Sequence, residues 1–151
     1  DRVTDGAKPT LARSLGATYH TDPVDTVTKR LAPDIVIEAT GASSVVIDAM
    51  TNTAEYGIVC LTGVSPRGRT VQIDAGGLNC EIVLENDAVV GSVNANLRHY
   101  RAAAAALANA DRDWLAGLIT RRVPLSRATE VFQPAEGHDD VKVVIDLQAA
   151  T

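Results

Sequence analysis

Four segments of the sequence combine small and polar residues in the way that is typical of ligand-binding turns. They are Asp1-Arg2, Ala39-Thr40-Gly41, Thr62-Gly63-Val64 and Ser92-Val93-Asn94, and the last three each close an apolar run of strand length. Ligands of open parallel sheets bind outside the carboxyl ends of the strands, where backbone groups point outward. The spacing of these segments therefore predicts a binding edge built from strand ends.

The sequence holds no self-contained catalytic set. Its three histidines, His20, His99 and His138, are not at metal-ligand spacing from a Cys, Asp or Glu. Cys60 and Cys80 are too far apart to form a CxxC site. Nucleophile-elbow, Walker and GxGxxG sequences are absent from the 151 residues. Ligand binding at strand ends is thus the chemistry that the residues favour.

The composition excludes several classes of partner. Hydrophobic residues make up 46% of the chain and charged residues 22%, as is typical of a globular domain. The formal net charge of -5 argues against nucleic acid or an anionic membrane, because both attract basic surfaces. No apolar run approaches the roughly 18 residues of a membrane span, and no signal peptide is recognisable. A cytoplasmic location is expected.

Strand and helix patterns alternate along the chain. Continuous apolar runs predict buried parallel strands at residues 34–39, 57–62 and 88–93, and a last strand is expected at 141–147. Helical spacing predicts helices at residues 9–15, 24–30, 43–52 (capped by Ser43 or Ser44), 114–119, and from a cap at Asn94 or Asn96 to Leu107. Shorter strands are expected at Ala17-Thr18-Tyr19 and, as an exposed edge, from Val71 to Asp74. This alternation predicts an α/β fold with a doubly wound, mostly parallel sheet.

Several of these runs resemble the C-terminal half of the medium-chain dehydrogenases, the zinc alcohol dehydrogenase superfamily. The matching stretches are LGAT, DIVIEATG, GIVCLTGV, TRRVPL and VKVVI, at residues 15–18, 34–41, 57–64, 120–125 and 141–145. The stretch ENDAVVGSVN at residues 85–94, with IDAG at 73–76, resembles the glucose dehydrogenase branch. The resemblance implies that residues 1–151 form part of a Rossmann-like NAD(P)-binding domain.

The resemblance also implies an activity, with zinc and most of the sugar contacts in a separate N-terminal domain. Zinc would polarise the C1 oxygen of an aldose such as glucose, and hydride would pass from C1 to NAD or NADP, leaving an aldonolactone. Two alternatives stay open. One is a non-catalytic nucleotide-binding or dimerisation module, and the other is an alcohol or polyol dehydrogenase of the same superfamily.

Cofactor contacts are carried over from the family position by position. Asp1 matches the acidic residue that binds the adenosine ribose 2′-OH, and Arg2 could instead hold the 2′-phosphate of NADP. Thr40 and Gly41 match a turn against the cofactor ribose, although plain strand-to-helix capping would also account for them. Lys142 matches a basic residue that contacts cofactor phosphate, and a solvated lysine is the alternative.

The nicotinamide and substrate contacts come from the next two strand ends. The resemblance places the carboxamide against the backbone of Leu61, Thr62, Gly63 and Val64, with Ser92 and Val93 as the partner stretch. Asn94 matches a residue that reaches a sugar hydroxyl, and its competing role is to cap the following helix.

The chain differs from the family pattern at its start. The zinc domain, the first Rossmann strand and the glycine-rich turn are not present in these 151 residues. We therefore expect the chain alone to be unstable and inactive, because each buried amide or carbonyl group left unpaired at a strand edge costs roughly 1–3 kcal/mol. The family also implies a homodimer or homotetramer, for which the segment from Val71 to Asp74 is the expected edge strand.

Overall fold

The computed structural model describes residues 4–68, 70–132 and 139–148. The chain divides into two compact units, one formed by Asp22–Ala95 and the other by Asp1–Thr21 together with Asn96–Thr151. We call them the central unit and the terminal unit. The predicted cofactor residues Asp1 and Arg2 lie outside the described residues, so their proposed contacts stay predictions.

The central unit is built on a three-stranded parallel sheet. Its strands are β1 (Ile35–Glu38), β2 (Ile58–Leu61) and β3 (Ala88–Gly91), in the order β1-β2-β3. Parallel neighbours need a crossover connection, and a helix lies between each pair of strands along the chain. The continuous apolar runs thus predicted these strands and their parallel arrangement correctly, but the predicted burial is wrong for β3, whose four residues are all exposed.

Three helices belong to the central unit, namely α1 (Val24–Leu31), α2 (Ser43–Thr51) and α3 (Ala75–Glu85). The first two match their predicted positions. Neither Ser43 nor Ser44 caps α2, however, because Ala42 is the N-cap residue and no side chain caps that end. Instead, the Ala42 N–H donates to Thr40 Oγ1 at 3.0 Å.

The expected edge strand from Val71 to Asp74 is wrong. These residues have no strand conformation and lead directly into α3, which the sequence interpretation missed. Asp74 is the N-cap of α3 and accepts the Gly77 N–H at 3.0 Å. Four residues that alternate between apolar and polar fit a short strand, and they fit equally well the extended segment that precedes a helix. Asp74 decides between the two because it caps the helix.

The two faces of the central sheet differ in burial. Val59 on β2 and Ala49 on α2 are each 1% exposed, and α2 packs against both β1 and β2. Ile35 and Ile37 point to the opposite face and are 63% and 68% exposed, and Val90, which lies in register with Ile37 across β2, is 50% exposed. One face therefore forms the core of this unit, and the other presents an apolar surface.

The terminal unit contains helices and a second parallel sheet. Its elements are α4 (Ala7–Ser14), α5 (Leu97–Asn109), α6 (Arg112–Gly117), β4 (Ile119–Pro124), a 3-10 segment (Leu125–Phe132) and β5 (Lys142–Asp146). Strands β4 and β5 pair in parallel. Val123 on β4 is 1% exposed, and the ion pair Arg121–Asp140, at 2.8 Å, lies beside these strands.

Two predictions in the terminal unit need correction. The segment Ala17-Thr18-Tyr19 is not a strand, since these residues have no regular secondary structure. A three-residue run forms a strand only by pairing, and no described strand pairs with it. The cap of α5 is Asn96, whose side chain accepts the His99 N–H at 3.1 Å.

Among the described helices, none combines the length and apolar character that crossing a membrane would require.

Candidate functional site

The carboxyl ends of the three central strands lie side by side. The Thr62 N–H donates to the Glu38 carbonyl at 2.8 Å, and the Ser92 N–H donates to the Leu61 carbonyl at 2.9 Å. These bonds continue the strand ladder by one residue and place the segments after β1, β2 and β3 next to one another. The structure thus brings together three of the four segments that the sequence singled out.

Two glycines let the first two segments meet backbone to backbone. A methyl group added to Gly63 would lie 2.2 Å from the backbone nitrogen of Gly41, and one added to Gly41 would lie 2.6 Å from the Val64 carbonyl oxygen. Gly41 also has φ of 68°, a left-handed conformation that favours glycine. The turn at Thr40-Gly41 and the turn at 62–64 therefore form one continuous backbone surface.

A buried carboxylate organises this surface. Glu38, the last residue of β1, is 2% exposed. Its Oε1 accepts hydrogen bonds from the Thr40 N–H at 2.6 Å, the Thr40 hydroxyl at 2.6 Å and the Gly41 N–H at 2.9 Å. A methyl group at Gly63 would approach Glu38 Oε2 to 2.7 Å. One side chain thus holds the first turn and lines the second.

The charge of Glu38 is set by two opposed effects. Burial raises the pKa of the carboxyl, because a low-dielectric surrounding disfavours the charged form. The hydrogen bonds from the Thr40 hydroxyl and from the Thr40 and Gly41 N–H groups stabilise the carboxylate and bring its pKa below the ordinary 4.5. Glu38 is accordingly ionised at neutral pH.

The sequence interpretation did not assign a role to Glu38. The signal was present, because an acidic residue that closes the apolar run Ile35-Val36-Ile37 is unusual in a strand whose continuous apolar run predicts burial on both faces. Ionised residues are rarely buried without partners. An acidic residue at a strand end, followed closely by Thr-Gly, thus indicates a carboxylate that caps the turn.

The amides of the two turns are largely committed within the protein. The Glu38 carboxylate accepts hydrogen bonds from the N–H groups of Thr40 and Gly41. The Glu38 carbonyl accepts hydrogen bonds from the N–H groups of Thr62 and Gly63, at 2.8 and 3.1 Å. It also accepts one from the Thr62 hydroxyl at 2.8 Å. The N–H groups of these four residues are therefore already used in hydrogen bonds within the protein.

The third strand end is open to solvent. Ser92, Val93 and Asn94 are exposed, and Val93 keeps 75% of its surface accessible. Asn94 has φ of 64°, in the left-handed region that asparagine tolerates better than most residues. Because Asn96 caps α5, the competing assignment of Asn94 as the helix cap is wrong.

Lys142 belongs to the terminal unit rather than to the central sheet. It begins β5 in the terminal unit and is exposed. Its predicted contact with cofactor phosphate stays a prediction.

A cleft of about 450 Å³ lies elsewhere in the central unit. Residues of α1, α2, α3 and the segment before α3 line it, and none of the predicted site residues does. Burial raises the pKa of Asp48 in this cleft, and the negative charge of Asp25 adds to the rise while Lys29 opposes it. The cleft is acidic and does not resemble a site for an anionic cofactor.

The described residues contain no group of three or more His, Cys, Asp or Glu side chains that could hold a metal ion. A donor set for zinc is therefore not assembled within the described part of this chain.

Comparison with known proteins identifies the family. A family model described as the glucose dehydrogenase C-terminus matches residues 1–147. A glucose 1-dehydrogenase of Thermoproteus tenax is 41% identical over 153 residues, covering 97% of this chain and 42% of the relative. Glucose 1-dehydrogenase 1 of Caldivirga maquilingensis is 34% identical, covering 97% of this chain and 41% of the relative.

Solved structures agree with this assignment. The glucose dehydrogenase of Haloferax mediterranei, in complex with NADP, Zn and gluconolactone, superposes with a TM-score of 0.81 at 29% identity. That match covers 96% of this chain and 41% of the solved one. The chain thus spans about two fifths of the length of these relatives. The predicted Rossmann-like α/β fold is confirmed, and the chain belongs to the glucose dehydrogenase C-terminal family of the zinc-dependent dehydrogenases.

Proposed function

We propose that this chain supplies the cofactor-binding strand ends of a glucose (aldose) 1-dehydrogenase that uses NAD or NADP. The observation that carries the proposal is the continuous backbone surface formed where Gly41 meets Gly63 and Val64. The absence of a Cβ at both glycines lets the two turns meet, and a flat ligand can then lie against the continuous backbone surface that they form. The NADP complex of the Haloferax mediterranei relative supports a dinucleotide as that ligand.

The turns differ in what they offer to the dinucleotide. Thr40 and Gly41, fixed by Glu38, provide the surface for a ribose. The N–H groups of Thr62 and Gly63 are already donated to the Glu38 carbonyl. The Leu61 carbonyl accepts the Ser92 N–H, and the Val64 carbonyl packs against Gly41. Within the segment 61–64, the carbonyl oxygens of Thr62 and Gly63 are therefore assigned to accept the NH₂ of a carboxamide. Ser92 and Val93 complete the surface from the third strand.

Bound NAD or NADP would supply the hydride acceptor. The part of the chain in this reaction is to bind the cofactor, to orient its nicotinamide ring against the three strand ends and to exclude water from that face. Asn94 is proposed to hold a sugar hydroxyl, since its side chain is exposed beside Ser92 and Val93 and α5 is capped by Asn96. Zinc is proposed to bind in the part of the enzyme that matches the remaining length of the relatives.

The expectation that this chain alone is inactive remains part of the proposal. Catalysis needs a sugar-binding partner domain for the strand ends to face. The exposed isoleucines of β1, Ile35 and Ile37, also support limited stability of the isolated chain, because exposed apolar surface favours association. Assembly as a homodimer or homotetramer is proposed from the family only.

The test is the activity of the protein expressed from its whole gene, compared with this 151-residue chain. We expect the former to form NADH or NADPH with glucose, measured by absorbance, and the latter to form none. Parallel assays with galactose, ethanol and sorbitol separate an aldose dehydrogenase from an alcohol or polyol dehydrogenase. A protein that binds neither NAD nor NADP would contradict the proposal and favour a module without a cofactor.

A further inference from the structure

We propose that Glu38 is the positioning residue of the cofactor site, which holds the turns at Thr40-Gly41 and 62–64 in one fixed relation for the dinucleotide. The inference rests on the proposed function. Glu38 is placed between the two turns and touches both of them, whereas no ligand can reach its carboxylate directly, since the residue is 2% exposed.

Hydrogen bonds from both turns are concentrated on this residue. Its carboxylate accepts from Thr40 twice and from Gly41 once. Its carbonyl accepts the N–H groups of Thr62 and Gly63 and the Thr62 hydroxyl. Six hydrogen bonds from both turns therefore end on one residue, so that the position of Glu38 sets the position of each turn.

The second carboxylate oxygen of Glu38 faces the other turn. Glu38 Oε2 is buried and accepts no hydrogen bond from the described residues. It lies where a methyl group on Gly63 would be 2.7 Å away, so it defines the distance between the carboxylate and the second turn. An unpartnered buried oxygen carries a desolvation cost, so its place beside the second turn calls for an explanation beyond the capping of the first turn.

The negative charge of Glu38 matters because a neutral acceptor would hold the first turn less well. Hydrogen bonds to an ionised acceptor are about twice as strong as those between neutral groups. The Thr40 and Gly41 amides would otherwise be free to point toward a ligand. The carboxylate of Glu38 accepts both N–H groups within the protein and so fixes the backbone of the first turn.

The experiment uses the protein expressed from its whole gene, with Glu38→Gln as the variant and Glu55→Gln as the control. Glu55 is exposed in the same unit, so the control removes the same charge without touching the turns. We expect Glu38→Gln to raise the dissociation constant and the KM of the dinucleotide about tenfold. The KM for glucose should stay within about twofold, because the sugar contacts are elsewhere. The control should match the wild type.

Hydrogen exchange gives a readout that does not need a bound cofactor. The peptide that contains Thr40 and Gly41 should exchange faster in Glu38→Gln than in the wild type, while peptides of β3 and α3 exchange alike. In Glu38→Met, which removes both carboxylate oxygens, the same peptide should exchange faster still. This graded order of exchange rates distinguishes a positioning role from a general loss of the fold.

The outcomes separate the two proposals. A wild type that binds neither dinucleotide overturns the proposed function, and the exchange of the Thr40-Gly41 peptide then decides the role of Glu38 in fixing the turns. Equal dinucleotide affinity in Glu38→Gln and Glu55→Gln, or unchanged exchange of that peptide, overturns the positioning role. Equal increases in the KM of glucose and of the dinucleotide overturn it as well, because they would show a general structural effect.

Discussion

Gly63 and Gly41 lie so close that a single methyl group on Gly63 would stand 2.2 Å from the Gly41 nitrogen and 2.7 Å from Glu38 Oε2. Both neighbours are fixed, one by the backbone and the other by burial. The contact joins the ends of β1 and β2, and it makes glycine at position 63 a requirement of packing rather than of backbone conformation. The strand ends therefore form a rigid surface.

Gly63→Ala is expected to reduce the free energy of unfolding by about 1–3 kcal/mol, the usual cost of forcing extra atoms into a packed site. Dinucleotide binding should weaken in parallel, because the two turns would separate. Denaturant unfolding and cofactor titration measure the two effects.

Gly91→Ala is the matched control for that variant. Gly91 ends the neighbouring strand β3, and a methyl group added there meets no atom within 4 Å. Its stability should equal or slightly exceed that of the wild type. Equal behaviour of the two variants would show that the Gly41–Gly63 approach does not limit the site.

Glu38 also predicts a dependence of stability on pH. Its folded-state pKa is below the ordinary 4.5, so the carboxylate contributes stability that is present above pH 4.5 and is lost as the pH falls through the folded-state pKa. The free energy of unfolding of the wild type should fall toward low pH more steeply than that of Glu38→Gln. If the free energies of unfolding of the two proteins change with pH in the same way, the carboxylate of Glu38 does not contribute to stability through its charge.

Asp48 predicts the opposite dependence of stability on pH. Burial and the charge of Asp25 raise its folded-state pKa above the ordinary 3.8, so the folded state holds the proton more tightly. Ionisation of Asp48 is therefore less favourable in the folded state than in the unfolded state. The free energy of unfolding falls as the pH rises from 3.8 through the folded-state pKa. Asp48→Asn should therefore raise the melting temperature at pH 7. A lower melting temperature than in the exposed control Glu55→Gln would contradict the expectation.

The sequence predicted the strands better than their surroundings. Residues 34–39, 57–62 and 88–93 were found because continuous apolar runs rich in β-branched residues strongly favour buried parallel strands. Helix α3 was missed because Ala75-Gly76-Gly77 contains two poor helix formers, and its start depends on the Asp74 cap. Whether residues 17–19 form a strand depends on a neighbouring strand to pair with, which the composition of the segment does not determine.

For the site, the sequence identified the turn residues but not the residue that fixes them. Thr40, Gly41 and Gly63 could be placed by their order after apolar runs. The bonds from Thr62 and Gly63 to the Glu38 carbonyl depend on the register of β1 against β2, in which Glu38 pairs with Leu61. A register of this kind is a tertiary property, so the convergence on Glu38 became visible only in the structure.

Asn96 gives a direct test of the capping assignment. Its side chain accepts the His99 N–H at 3.1 Å at the start of α5. Asn96→Ala is expected to lower the free energy of unfolding by about 1 kcal/mol, the usual cost of losing such a cap. Denaturant unfolding measures it, and unchanged stability would show that α5 does not depend on this bond.

Asn94 should behave differently from Asn96, because it has been proposed to contact the sugar. Its backbone has φ of 64°, so Asn94→Gly removes the side chain while keeping a backbone conformation that glycine adopts freely. The stability of the protein should change little. The loss of one hydrogen bond to a substrate hydroxyl should raise the KM for glucose by about tenfold, with the KM of the dinucleotide unchanged. Steady-state kinetics with each substrate varied in turn measures both constants. A KM for glucose equal to that of the wild type would remove Asn94 from the sugar site, whereas equal increases for glucose and dinucleotide would move it to the cofactor surface beside Ser92 and Val93.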